Sequence, residues 1–226
     1  DDAASFGHTA SASGTASLAL GNATQAMGTS SSAIGDGAQA VGGYASALGG
    51  SAYAGEDFAT AAGTSAFAMG VESTADGSNS FAGARGSTAL GAHALADATM
   101  ATAVGDGAMA MGDSSLALGD NSHAEGVKST ALGSAAEARG VNGLAAGADS
   151  SAEGALATAL GTNATARADN SVAIGAHSVA DRANTVSVGA VGSERQITNV
   201  AAGVEGTHAV NVSQLAAAIT PGDDKG

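Results

Sequence analysis

Small residues alternate with variable ones in a five-residue unit, and the unit recurs every seven residues from Gly7 to Gly189 without slipping phase. Its form is small-x-Ala-x-Gly plus two linking residues, as in Ser17-Leu18-Ala19-Leu20-Gly21 and Ser171-Val172-Ala173-Ile174-Gly175. Of 27 register positions, 22 are glycine and 25 carry alanine two residues earlier; the residue four earlier is always Ala, Ser, Thr or Gly. A period of two is the strand period. Five residues of strand and a two-residue corner, repeated without large side chains to bury, predict stacked coils rather than a succession of hairpins.

With successive strands on opposite walls, one coil takes two units, or 14 residues. Each strand then pairs in parallel with the strand one coil later. The small residues point between the walls, which are expected to close below the ~10 Å of ordinary packed sheets. Corners such as Asp36-Gly37, Asp106-Gly107, Asp120-Asn121 and Asp169-Asn170 carry turn residues. The glycine ending each strand bends the chain into its corner. Where it is replaced, at Glu56, Ala84, Ala98, Ala168 and Arg182, the backbone is expected either to keep negative φ or to tolerate some strain.

Sorting the residue before each register position into alternate units separates two outward surfaces. One runs Leu20, Ile34, Leu48, Leu90, Val104, Leu118, Leu132, Leu160, Ile174 and Val188, interrupted by Ala62, Asp76 and Ala146 and flanked by Thr74, Thr88 and Thr102. Those side chains point away from the roll they belong to, so burying them requires another subunit. A parallel homo-oligomer packed about a shared axis follows, with three chains favoured over two. The other wall carries Met27, Val41, Met69 and Met111, then Glu125, Arg139, Glu153 and Arg167. Its second outward column reads Tyr53, Phe67, Phe81, Leu95 and Met109 before turning polar at His123 and Glu137. We take Met27, Tyr53, Phe67, Met69, Phe81, Leu95, Met109 and Met111 as a candidate adhesion surface, the alternative being that neighbouring protomers partly cover these groups.

Composition narrows the functions available. The 226 residues include 35 glycines, one proline, six aromatics and no cysteine, and carry a formal charge of −14. One thick hydrophobic core is excluded, and a nucleic-acid backbone or anionic membrane surface would be repelled. No apolar run approaches the ~18 residues needed to cross a bilayer. The chain opens on Asp1-Asp2 without a signal peptide, so an exported parent is expected to be longer.

Catalytic and ligand chemistry find little support. His8, His93, His123, His177 and His208 form no pair at metal-ligand spacing. The glycines fit no dinucleotide or P-loop fingerprint, and the seven-residue beat is not that of calcium-binding nonapeptides. No Gly-x-Ser-x-Gly elbow stands near a histidine. The reading is therefore a non-enzyme with no cofactor and no metal. Threonines recurring at coil spacing also suit an ice-binding roll, a remote alternative that requires their wall to be exposed.

After Gly189 the beat stops. The segment Arg195-Gln196-Ile197-Thr198-Asn199-Val200, continuing to Asn211-Val212-Ser213-Gln214-Leu215, resembles the neck of trimeric autotransporter adhesins, the YadA-like surface proteins of Gram-negative bacteria. The preceding Ser-x-Ala-x-Gly units resemble their head repeats, so the likeness covers nearly the whole chain. It implies an all-β fold, a left-handed parallel β-roll with two strands per 14-residue coil, three of them side by side. It divides the chain into head repeats over 1–190, a neck over 191–215, and the start of a coiled-coil stalk helix with a frayed end over 216–226. His208 departs from the family's shorter Thr-Asp pair, which leaves its bonding open.

The resemblance further implies a surface adhesin, anchored in the outer membrane by a C-terminal region absent from this sequence. It would bind host extracellular-matrix proteins or cell-surface receptors, without itself touching membrane or nucleic acid. The alternative is a structural spacer or self-association module serving autoaggregation and biofilm.

Overall fold

The computed structural model describes residues 2–219, which fall in two compact units, Asp1–Gly192 and Ser193–Gly226. The first is a parallel β-roll of two sheets. Fourteen strands at odd places in chain order, from Ala4–Phe6 to Val186–Ser187, form one sheet; thirteen at even places, from Ser11–Ala12 to Val179–Ala180, form the other. Partners lie 14 residues apart throughout, as in Leu18↔Ser32 and Gln25↔Gln39. The coil expected from the beat is the coil observed.

The strands are shorter than the five residues expected. They span three residues in the fourteen-stranded sheet, apart from its two-residue last strand, and two in the thirteen-stranded sheet. The first position of each unit gives its N–H to the preceding turn and only its carbonyl to the ladder: Ser17 N–H donates to Gly14 O at 3.2 Å and its hydroxyl to the same oxygen at 2.7 Å, while Ser17 O accepts from Ala4 N–H at 2.9 Å. Ser80, Ser87 and Ser150 bond in the same way to the carbonyl three residues back. That explains a position restricted to small residues yet often polar. The side chain is interior, and at Ser17, Ser80, Ser87 and Ser150 the hydroxyl finds its acceptor within its own turn, whereas the buried hydroxyls of Ser31, Ser115 and Ser129 have no partner.

Every buried apolar side chain is an alanine, and the largest fully buried side chain is Thr24. The two sheets are thus held apart only by methyl groups and hydroxyls. Backbone ladders stacked along the whole roll hold it together, because so little apolar area is available per residue.

The corners carry a rule that the sequence pattern does not announce. The second linking residue is left-handed at every one of 26 successive corners, from Thr9 (φ 55°) to Asn184 (φ 59°), and only three of these are glycine. Such a φ is required at the third residue of the turn, and from Ala23 to Asn184 each such N–H also bonds one coil back, as Ser30 N–H does to Thr15 O at 2.8 Å. Coil-to-coil bonding therefore runs through the corners as well as the strands.

The register glycines are not equivalent either. Those closing the fourteen-stranded sheet, from Gly7 to Gly175, have φ between 101° and 143°, whereas those closing the thirteen-stranded sheet are absent from the positive-φ set. Glu56, Ala84, Ala98, Ala168 and Arg182 all fall at the second kind of corner and avoid positive φ, as expected of them.

In the second unit, α1 (Val212–Ile219) is the single described helix. It follows a segment without regular structure.

Candidate functional site

The thirteen-stranded sheet brings the candidate adhesion residues onto one face. Parallel pairing sets Tyr53, Phe67, Phe81, Leu95 and Met109 on successive strands, followed by His123 and Glu137. The Tyr53 and Phe67 rings lie 6.2 Å apart, tilted by 36°. Tyr53 and Phe81 lie low because their neighbours two residues on are glycines. A Cβ at Gly55 would stand 2.7 Å from Tyr53 Cε1, and one at Gly83 would stand 2.5 Å from Phe81 Cε1. Phe67 and Met69 stand higher between them, 39% and 46% exposed. Met27 and Met111 are exposed, while Leu95 and Met109 are half-buried.

Beyond Met111 the same face becomes polar. Arg139 lies 2.6 Å from Glu137 and 4.0 Å from Glu125, and all three side chains are more than a third exposed. Ion pairs this wet contribute little stability. They keep that half of the face solvated.

The apolar column of the fourteen-stranded sheet is uncovered on the single chain. Leu20, Leu48, Leu118, Leu132, Leu160 and Ile174 are exposed, and Ile34, Leu90, Val104 and Val188 are half-buried. Thr74, Thr88 and Thr102 pair in register beside them.

A third feature, on the corners that close the thirteen-stranded sheet, is absent from the sequence-based expectations. Tyr44 and Phe58 stack with ring centroids 5.3 Å apart and planes within 2°. Tyr44, Met100 and Leu156 are each more than half exposed and left-handed, and they recur every 56 residues, or four coils. One coil after each comes an aspartate whose carboxylate accepts from the backbone N–H just before the apolar residue: Asp57 from Gly43 at 2.7 Å, Asp113 from Thr99 at 3.1 Å and Asp169 from Ala155 at 2.9 Å. Sorting the linking residues by alternate corner, as the wall residues were sorted, exposes the pattern.

The second unit is organised by Asn211 and Gln214. Asn211 caps the helix, its Oδ1 accepting from Gln214 N–H at 3.0 Å, and Gln214 Oε1 lies 3.4 Å from Asn211 N–H in return. This is the reciprocal arrangement of a capping box. Gln214 also holds both backbone groups of Gly203, each at 2.7 Å, and Asn211 Nδ2 donates to Val200 O at 3.2 Å. Two side chains thus fix the helix start and the irregular strand before it. Ile197, Asn199, Val200 and Asn211 line an open hollow here, with Asn199 left-handed and Ile197 and Leu215 exposed. Arg195 and Gln196 precede it and are exposed. The bonding of His208 is now defined: its Nδ1 is 3.4 Å from Val204 N–H and its Nε2 is 3.4 Å from Glu205 Oε2.

Among the described residues no three His, Cys, Asp or Glu side chains are grouped to hold a metal, and no helix is long and apolar enough to cross a membrane.

Two family models match the chain. The model of the YadA head domain repeat matches ten segments between residues 1 and 190, which together leave residues 25 and 53–60 unmatched, and the coiled stalk of trimeric autotransporter adhesin matches residues 196–223. Of these, 220–223 lie outside the described residues. Among solved structures, the chain is similar to the collagen-binding domain of the Yersinia adhesin YadA. Identity is 31%, coverage is 79% of this chain and 84% of that one, and the TM-score is 0.46. No curated protein sequence matches the chain. Head repeats over most of its length, followed by a stalk segment, make the chain a member of the YadA-like trimeric autotransporter adhesins.

Proposed function

We propose that this chain is the head of a bacterial surface adhesin and attaches to host extracellular-matrix proteins or cell-surface receptors through the thirteen-stranded sheet. The observation that carries the reading is the exposed aromatic and methionine face centred on Phe67 and Met69. A soluble protein rarely leaves such a face free without a partner. The collagen-binding activity named for the Yersinia relative makes matrix proteins the first class to try. Family and fold both point away from an enzyme.

In the same reading three chains pack their fourteen-stranded sheets about a common axis. They bury the column from Leu20 to Val188 and present three copies of the adhesive face, so that weak contacts add as avidity. Residues 1–190 form the head, 191–215 the neck and 216–226 the start of the stalk, with 220–226 outside the described residues. The protein is held at the outer membrane. The solvated half of the sheet, from Glu125 onward, favours a supporting role for that part: it acts as a spacer that carries the apolar half outward.

The test replaces Phe67 and Phe81 together by serine and measures binding to immobilised collagen, fibronectin and laminin beside sedimentation equilibrium. The oligomer should persist and matrix binding should fall by about tenfold or more, the loss expected of hot-spot aromatics. Unchanged binding removes the assignment of the face.

A further inference from the structure

The two edges of the roll differ as sharply as its sheets. Corners closing the thirteen-stranded sheet, from Thr15-Ala16 to Ala183-Asn184, carry Tyr44, Phe58, Met100 and Leu156, each more than half exposed. Corners closing the fourteen-stranded sheet, from His8-Thr9 to Ala176-His177, carry no apolar residue larger than alanine. Charge divides the same way. Arg85 and Lys128 lie on the first edge, whereas the second has aspartate at 36, 106, 120 and 149 and neither lysine nor arginine. The acids of the first edge are engaged within it, Glu72 by Arg85 and Asp57, Asp113 and Asp169 by backbone N–H groups.

The width of the sheet decides what these edges meet. A five-residue unit spans about 17 Å, and three sheets of that width closed into a triangle lie about 5 Å from its centre, half the ordinary spacing of packed sheets. At the distance that lets the aliphatic column from Leu20 to Val188 fill the centre, the edges of neighbouring rolls therefore touch. A closed ring of parallel chains has heterologous contacts, so each seam joins an edge of the first kind to one of the second at equal height.

Height along the roll advances by one strand spacing, ~4.8 Å, every 14 residues. Corners of the two edges alternate along the chain, which sets Tyr44 level with Gly37 and Ser51, and Phe58 level with Ser51 and Ser65. Large residues thus face small ones. Lys128 comes within about 3 Å of the level of Asp120, and both are exposed. A cation on one edge is matched to a carboxylate on the other.

We infer that the corners closing the thirteen-stranded sheet of one chain dock on the corners closing the fourteen-stranded sheet of a second copy, with Tyr44 and Phe58 seated over Gly37 and Ser51 and Lys128 beside Asp120. The inference rests on the threefold packing proposed above and adds the lateral contacts that close it.

The chain has no cysteine, so thiols can be placed without background. The test introduces Asp120→Cys and Lys128→Cys together in the whole chain, treats it with a short bismaleimide, and reads covalent species on a denaturing gel beside sedimentation equilibrium. Most of the chain should run as covalent trimer. A second pair, Ser51→Cys with Phe58→Cys, should behave alike. Each single variant should stay at the mass of one chain, and so should Asp36→Cys with Lys128→Cys, whose sites lie about 30 Å apart along the roll.

Covalent dimers from Lys128→Cys or Asp120→Cys alone would mean that like edges meet, and would overturn the inference. Equal linking of the distant pair would overturn it as collision. If neither matched pair links while sedimentation shows a trimer, the seam is wrong and the packing of the fourteen-stranded sheets stands. If the unsubstituted chain sediments as a monomer, the threefold packing falls and the seam with it.

Discussion

The two sheets of the roll are written in the same seven-residue beat, yet they obey different rules. All fourteen register positions of the fourteen-stranded sheet are glycine, whereas five of the thirteen in the other sheet are Glu, Ala or Arg. The difference follows from backbone geometry. The first kind of corner needs φ above 100° at all thirteen positions from Gly7 to Gly175, and the second does not. Outward residues divide along the same line, with a nearly unbroken aliphatic column on one sheet and a face that passes from aromatic to charged on the other. The true repeat is therefore 14 residues. One half-repeat is constrained by backbone and packing, and the other is left free to vary, which is where a binding surface can be placed without disturbing the coil.

The largest effect should come from charging the two sheets in turn. Leu118→Glu together with Leu132→Glu sets two carboxylates in the aliphatic column of each chain. If that column is buried between three chains, each unpaired charge costs several kcal/mol, and sedimentation equilibrium should show monomers. Met111→Glu on the other sheet should leave the oligomer intact. Dissociation by the second change and not the first would reverse the roles given to the sheets.

The glycine contrast is next in size. At Gly105, φ is 132° and a methyl group would stand 2.5 Å from Gly119 O, so Gly105→Ala should cost about 3 kcal/mol. At Gly112 an added methyl would also meet the carbonyl of the next coil, Gly126 O, when the backbone is held rigid. But Ala84, Ala98 and Ala168 already occupy equivalent corners, which shows that this backbone yields. Gly112→Ala should stay within about 1 kcal/mol of neutral. Thermal melts of the two variants decide the point, and equal losses would mean that the corners do not differ.

How much of this is legible in the sequence depends on whether a residue answers to its own coil or to something outside it. Ala19, Ala33 and Ala47 announce the interior directly, since a small residue recurring at strand period is what two closely packed walls require. The coil length, the parallel pairing and the division of outward residues all follow from them. The strand length does not, because Ser17 and its equivalents are interior like a strand residue while their N–H groups close a turn. The left-handed corners are hidden for a different reason. Asn121, Asn163 and Asn170 advertise positive φ, but Tyr44, Phe58 and Leu156 do not, and hydrogen bonding from the neighbouring coils holds them there against their preference. The face proposed to be adhesive is legible as a row of exposed or half-buried apolar residues. The close approach of the Tyr53 and Phe81 rings to Gly55 and Gly83 is not, since an absent side chain matters only once the rings are placed.

The smallest expected effect concerns the aspartates at the corners, where the two sheets also part. Asp36 and Asp106, at corners leaving the fourteen-stranded sheet, meet side chains: Asn22 Nδ2 at 2.8 Å and His93 Nδ1 at 3.3 Å. Asp113, at a corner leaving the other sheet, accepts from a backbone N–H, that of Thr99. Asp113→Ala should therefore cost about 0.5–1 kcal/mol and Asp106→Ala less, because removing a partner from a main-chain donor leaves a group that cannot turn away to water as a flexible side chain can. Amide exchange reads this locally. Thr99 should lose protection in Asp113→Ala, keep most of it in Asp113→Asn, and be unaffected by Asp106→Ala. If Thr99 exchanges at the same rate in all three, the carboxylate is an ornament of an exposed corner. If it responds as expected, the aspartates at 57, 113 and 169 hold the coil at the positions where Tyr44, Met100 and Leu156 project from it.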